Sequence, residues 1–485
     1  MISRLKELLF QNRSAKQTVA KNAFWLSFSE MATRFIRGII VIYAARILGA
    51  AEFGVFSYAL GLAGLFTIFS DIGIIQILTR ELAQKPEERD KYFATAFAIK
   101  FVLLIGTALA IALFAPLISI ATAIKLIPLM ALLVFFDGLR DFSLAFFRAL
   151  EKMEVQAFVT LLTNIVIVGA AIMALWYYGT STALAAAYVI GAGAGAFVAS
   201  LLLRGQYFQV FRAFDKNIAK QILHYSWPLL FMGMLGSFML NTDNVMIGWF
   251  LGEASVGLYA AAQKVVQILY VLPAVIASAT FPTIARYITQ NDAQKIKNVV
   301  EKSMSMVFLI AMPITVGGII LAEPITLFLY KSEYTSSITT FRILLLTVIL
   351  TFPGIILGNL GIAYNLQKTM SKYVGLAALS NAVLDAIFIP IFGIAGSAAV
   401  TVFAQFLTNG LQWRLIKKKN NFRILRYLPK LIFASAFMGV LALGLNYFNV
   451  HVVINVFVSG TLYFAFLYVL KEPTLSEIVG IVRKI

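Results

Sequence analysis

Hydrophobic positions come along the chain in blocks of twenty or more residues, separated by short polar gaps. A block of that length matches the roughly 30 Å apolar core of a membrane when wound as a helix rising about 1.5 Å per residue. Fourteen such spans are predicted, near 20–47, 54–79, 92–115, 124–147, 155–177, 182–203, 222–250, 255–284, 302–322, 338–361, 370–391, 394–415, 428–447 and 451–470. None shows the alternating pattern of a membrane β-barrel. The first block carries Glu30, Arg34 and Arg37 near its middle, and at 100° per residue these fall within roughly 60° of one another. An ionised residue at the bilayer centre costs about 2.5–3.5 kcal/mol on insertion scales. The three are therefore expected to face a polar interior. The alternative is that Glu30 and Arg34 only neutralise each other inside a bundle while Arg37 takes a backbone carbonyl.

Composition agrees with the pattern: 60% of the 485 residues are hydrophobic and 13% are charged, about half the charged share of a soluble domain. The net charge of +18 could suggest nucleic acid, but the basic residues lie in the gaps, where topology accounts for them. With the first residues, Met1 to Ala20, inside as a basic tail, most of the 40 Lys and Arg fall in the tails and inner gaps. Only Lys125 and Lys331 fall in outer loops. The richest inner gap, Arg414 to Lys430, reads as a retention signal that also touches anionic headgroups. The absence of cysteine excludes thiol chemistry, and His224 and His451 lie far apart, so no metal site is expected. No outer loop exceeds about fifteen residues, which leaves a membrane polymerase or ligase without an external catalytic domain. Transport is the leading class, with no enzyme activity.

The segment Gly49-Ala-Ala-Glu-Phe-Gly54-Val-Phe recurs as Gly252-Glu-Ala-Ser-Val-Gly257-Leu-Tyr. A second echo pairs Ala149-Leu-Glu-Lys152 with Asn365-Leu-Gln-Lys368, and Gly179 with Gly393. The predicted fold class is an all-α polytopic membrane protein of about fourteen helices: two six-helix pseudo-symmetric halves of the same topology plus two extra C-terminal helices. The expected organisation is a cytoplasmic tail (1–19), an N-terminal half (20–203), a basic linker (204–221), a C-terminal half (222–415), a second basic linker (416–427), helices 13 and 14 (428–470) and a cytoplasmic tail (471–485).

Arg46-Ile-Leu-Gly49, Glu52-Phe-Gly54-Val-Phe-Ser-Tyr, Phe69-Ser-Asp71-Ile-Gly73 and Thr79-Arg80-Glu81, followed by Asn241-Thr-Asp243-Asn-Val-Met-Ile-Gly248 and Val256-Gly257-Leu-Tyr259, form an ordered set. It resembles the polysaccharide transporters and O-antigen flippases of the multidrug/oligosaccharidyl-lipid/polysaccharide exporter superfamily, over nearly the whole chain. The resemblance implies translocation of a polyprenyl-diphosphate-linked oligosaccharide, or a related lipid-linked glycan, to the outer leaflet by alternating access. The implied partners are that substrate, membrane lipids and other polysaccharide assembly proteins, with no nucleic acid; the implied place is the cytoplasmic membrane, both termini inside. A cation-coupled multidrug exporter and a lipid II flippase remain open.

A diphosphate calls for arginine forks. The candidates are Arg34 and Arg37, Arg140, Arg148 at the cytoplasmic entrance, and in the second half Lys264 and Arg342. Aligning the repeats puts Ser237 and Leu240 opposite Arg34 and Arg37, so the first half alone has the arginine pair. Glu30, Asp71, Asp137, Asp141, Asp243 and Asp385 are candidates for ion pairing or coupling. Lys100 is expected to snorkel to the interface. No cofactor is expected, and coupling to H+ or Na+ is open. Moving two negative charges outward gains about 4–5 kcal/mol at 100 mV inside-negative.

Overall fold

A computed structural model describes residues 10–12, 14–207, 213–425 and 427–482. The basic residues Arg4, Lys6, Arg13 and Arg426, the rest of 1–9, and parts of the predicted first linker (208–212) and C-terminal tail (483–485) lie outside the described residues. The described regular elements are helices: α1 (Ala15–Ser70), α2 (Ile74–Gln84), α3 (Arg89–Ile118), α4 (Ile127–Ala149), α5 (Met153–Tyr178), α6 (Ser181–Leu202), α7 (Lys216–Leu251), α8 (Glu253–Leu269), α9 (Val271–Thr289), α10 (Ala293–Ile320), α11 (Ala322–Tyr330), α12 (Ile338–Ala363), α13 (Gln367–Lys419), α14 (Leu428–Tyr447), α15 (Val452–Val469) and α16 (Pro473–Val482), with short 3-10 turns between some of them.

Among the described residues eleven helical stretches are long and apolar enough to cross a membrane, twelve with α7, which bends by 45° between Trp227 and Leu229. At 56 and 53 residues, α1 and α13 are about twice the length of one crossing. Each is interrupted by one non-helical glycine, Gly49 and Gly393. Dividing both there accommodates the fourteen predicted spans.

The repeat is visible in the backbone. Gly49 has φ 72°, ψ 175°, and Gly252 has φ 78°, ψ 179°, a conformation open essentially to glycine alone. The second echo has its own signature. Helix α4 ends with Lys152 N–H donating to Phe147 O and Glu151 left-handed, as α12 ends with Leu366 N–H donating to Gly361 O and Asn365 left-handed. Glu151 thus corresponds to Asn365, two residues off the pairing read from the letters, because the hydrogen-bond ring fixes register where a four-residue similarity does not.

The chain forms two compact units, Met1–Gly257 and Leu258–Ile485. In the first, α1 to α7 surround a core that includes Ile74, Leu78, Phe93, Phe142, Phe146 and Ile222. Helix α6 owes its close approach to α5 to small residues: a Cβ on Gly191 would stand 2.2 Å from Ile167 Cγ1, and one on Gly195 2.0 Å from Thr163 Oγ1. Small residues allow the van der Waals packing that substitutes for a hydrophobic drive between helices in lipid. In the second unit α14 packs on α10, with Gly439 against Val316 and Ile320. Tyr463 Oη of α15 donates to Leu309 O of α10 at 3.0 Å.

Candidate functional site

The first unit gathers most of the predicted charges into one network. Arg140 on α4 is held on both sides: Nη1 lies 2.6 Å from Asp137 Oδ1, Nη2 lies 2.8 Å from Asp141 Oδ1, and Nε also donates to Asp141 at 3.0 Å. Asp137 lies three residues before Arg140, one helical turn away, and Asp141 is its immediate neighbour, so the guanidinium fork reaches a carboxylate on each side. Half-buried Arg148, about two turns further along α4, donates from Nη2 to Asp141 O at 3.3 Å. Arg37 on α1 donates from Nε to Asn164 Oδ1 on α5 at 2.6 Å. Asn164 is in turn held by donation to Thr160 O at 2.7 Å.

Charge binds these elements further. Arg37 acts electrostatically on Asp137, Asp141 acts on Lys100 and Arg148, and Asp71 acts on both of those cations. The network therefore holds Arg37, Lys100, Arg140 and Arg148 against Asp71, Asp137 and Asp141, an excess of one positive charge. Arg37 has a neutral amide as its hydrogen-bond partner, whereas Arg140 is divided between two carboxylates. Glu30 and Arg34 form an ion pair at 3.2 Å on an accessible surface, 67% and 41% exposed.

Lys100 corrects the expectation that it snorkels. It is fully buried, and Nζ donates to Ser70 O at 2.5 Å, with Asp71 Oδ1 at 3.8 Å. Ser70 is the last residue of α1, and Gly73, with φ 97°, opens α2. The ammonium thus satisfies a carbonyl freed by the helix break and complements the negative end of the dipole. Lys100→Met keeps the volume and removes the donor, and is expected to cost about 1–3 kcal/mol. A thermal unfolding midpoint in detergent equal to the parent's would contradict this role.

The remaining candidates are more dispersed. Asp243 on α7 is 2% exposed and Asp385 on α13 is fully buried. Lys264 on α8 is half-buried and donates to Gln267 Oε1 at 3.2 Å. Arg342 on α12 is exposed, with Nε donating to Ile319 O at 3.3 Å. Ser237, the repeat counterpart of Arg34, donates to Gly64 O at 2.6 Å and so joins α7 to α1. Asn164 went unread in the sequence although a signal existed: it is an amide in a stretch whose other residues, Thr163 apart, are apolar, Leu161-Leu-Thr-Asn-Ile-Val-Ile-Val168. The buried pair Lys21 to Glu154, 2.8 Å apart, was missed as well and ties the start of α1 to α5. Beyond the predicted second span, burial works against ionisation of Glu81, but hydrogen bonds from Arg80 and Lys85 and their charges hold its carboxyl below the usual range.

A family model described as "Polysaccharide biosynthesis protein" matches residues 19–288, and one described as "MatE" matches 228–391. Similar sequences include a "Probable low-salt glycan biosynthesis flippase Agl15" of Haloferax volcanii, 24% identical over 75% of this chain and 76% of that one. Another is a "Putative O-antigen transporter" of Shigella flexneri, 22% identical over 67% of this chain and 80% of that one. Among solved structures, the inward closed conformation of lipid II flippase MurJ superposes with a TM-score of 0.73 at 18% identity, covering 91% of this chain and 98% of that one. At that identity the superposition establishes the fold.

Proposed function

Because the chain belongs to the polysaccharide biosynthesis protein family, whose model matches residues 19–288, we infer that it is a multi-pass membrane flippase and that its cargo is a polyprenyl-diphosphate-linked oligosaccharide or a related lipid-linked glycan. It is a transporter and not an enzyme. The observation that carries the cargo reading is Arg37: an exposed arginine inside a predicted span, its guanidinium hydrogen-bonded to the neutral Asn164. Its charge is partnered less closely by carboxylates than that of Arg140, and a diphosphate can engage the remaining N–H groups. Arg34 lies one turn earlier on the same helix face, and exchange of Glu30 for phosphate would release it for the same task.

In this reading Arg140 shapes the site rather than binding cargo, and Arg148 meets the substrate at the cytoplasmic entrance. Lys264 and Arg342 are the candidate contacts of the second half. Asp243 and Asp385 are the candidates for H+ or Na+ coupling, with Asp71 a third. Both termini are assigned to the cytoplasm on the distribution of Lys and Arg. Other polysaccharide assembly proteins are the expected partners. The two six-helix halves, 20–203 and 222–415, are proposed to give the cargo alternating access, with α14 and α15 outside both.

The test is transport by the reconstituted chain. Proteoliposomes loaded with a fluorescent isoprenoid-diphosphate oligosaccharide are expected to move it between leaflets, faster than protein-free liposomes, and to show no efflux of a lipophilic cation. Cation efflux without glycolipid movement would overturn the reading in favour of a drug exporter.

A further inference from the structure

We propose that the amphipathic first third of α7, Lys216 to Trp227, is a binding site for the headgroup of an anionic phospholipid in the leaflet on the basic side of the protein. The part of α7 beyond the bend, Leu229–Leu251, is about 35 Å long and crosses the apolar layer without help. The preceding twelve residues are left at the membrane surface, turned by 45°.

One side of this segment is fixed. Ile218, Ile222 and Ser226 are buried, and the two isoleucines belong to the core of the first unit. Gln221 Oε1 accepts from Tyr92 Oη at 3.3 Å, and Arg80 lies over the Tyr225 ring at 5.4 Å. On the opposite side Lys216, Lys220, Leu223 and Trp227 fall within about 60° of arc, all exposed. The order along the axis matters. The two ammonium groups come first, a leucine follows, and the indole stands at the membrane end, where its ring spans apolar and polar layers. A hollow of about 900 Å³ lies along this face, lined by Lys216, Lys220, Leu223 and His224 among others.

Two cations above an apolar, aromatic floor match a phosphodiester above its acyl chains. The N-terminal amides of α7 are not the anion's site: Asp215 already accepts from Asn217 N and Ile218 N. The occupant is thus a lipid held by side chains, and it differs from the cargo, whose diphosphate is assigned to α1. Holding a lipid here would steady the bend.

Native mass spectrometry of the full chain titrated with phosphatidylglycerol or phosphatidylcholine tests this. The intact protein is expected to retain phosphatidylglycerol preferentially. Because a lysine near an anionic surface is worth about 1 kcal/mol, or roughly fivefold, K216Q with K220Q should weaken that affinity by about 30-fold. K125Q with K331Q, in the outer loops, should leave it unchanged. Trp227→Ala should weaken phosphatidylglycerol while phosphatidylcholine binding stays level. Equal retention of both lipids, or of phosphatidylglycerol by parent and lysine variant, overturns the proposal. Displacement by millimolar inorganic pyrophosphate also overturns it, since the site would then bind free diphosphate.

Discussion

Arg140→Ala is expected to destabilise the protein by about 2–3 kcal/mol, somewhat below the ~3–5 kcal/mol of a fully buried pair losing one partner. The guanidinium is almost buried, while Asp137 and Asp141 keep 36% and 47% of their side-chain surface and some hydration. Removing the arginine leaves two carboxylates one helical turn apart with no cation between them. Arg140→Lys should recover only part of the loss, because one ammonium cannot reproduce the three contacts of the fork. Replacing both aspartates by asparagine in the Arg140→Ala background should recover most of it, since the uncompensated charges are then gone. Arg37→Ala, by contrast, loses one hydrogen bond to a neutral amide and should cost about 1 kcal/mol. Unfolding midpoints of detergent-purified variants measure this series. Arg140→Ala at parental stability would remove the division between a structural and a cargo-binding arginine.

Gly54→Ala and Gly257→Ala should be at least as damaging. A Cβ on Gly54 would stand 1.8 Å from Glu253 O and 2.8 Å from Gly257 N. One on Gly257 would stand 1.9 Å from Ala50 O and 3.0 Å from Gly54 N. The contact is reciprocal: the two copies of the repeated turn meet backbone to backbone as partners do across a two-fold axis. Neither neighbour is a side chain that can swing away, so each substitution should reach the upper end of the ~1–3 kcal/mol typical of overpacking, or pass it. The double variant should cost less than the sum, because once the turns are pushed apart the second methyl has room. Loss of monodisperse protein on size-exclusion chromatography is the expected readout. A well-behaved Gly54→Ala would mean that the turns are not held together here.

The fold was legible where it depends on local rules. Span length, the turn glycines Gly49 and Gly252, and the repeat that contains them follow from periodicity and letter similarity. That Gly54 would touch Gly257 did not follow, since both could equally have served separate tight turns. The charged face of α4 was readable at helical spacing, and its ion pairs are contacts within one element. Lys100 was misread because an apolar stretch does not say whether a lysine points along the helix to water or across to a broken neighbour. The Ser70–Gly73 break that receives it is a tertiary fact. Arg37 illustrates the middle case: its partner lies on α5, far away in sequence, yet Asn164 was a polar residue of an apolar span and invited the question.

The role proposed for the arginines of α1 is to hold the diphosphate of a lipid-linked glycan. Its most direct test is the initial rate of leaflet-to-leaflet transfer of a labelled isoprenoid-diphosphate oligosaccharide in proteoliposomes, for the parent and for Arg34→Ala with Arg37→Ala at matched insertion. Loss of two charge-assisted contacts, each about 1.5–3 kcal/mol, predicts a rate reduced by 100-fold or more at subsaturating substrate, with the unfolding midpoint nearly kept. Equal rates in the two proteins would contradict the claim and make both arginines part of the scaffold.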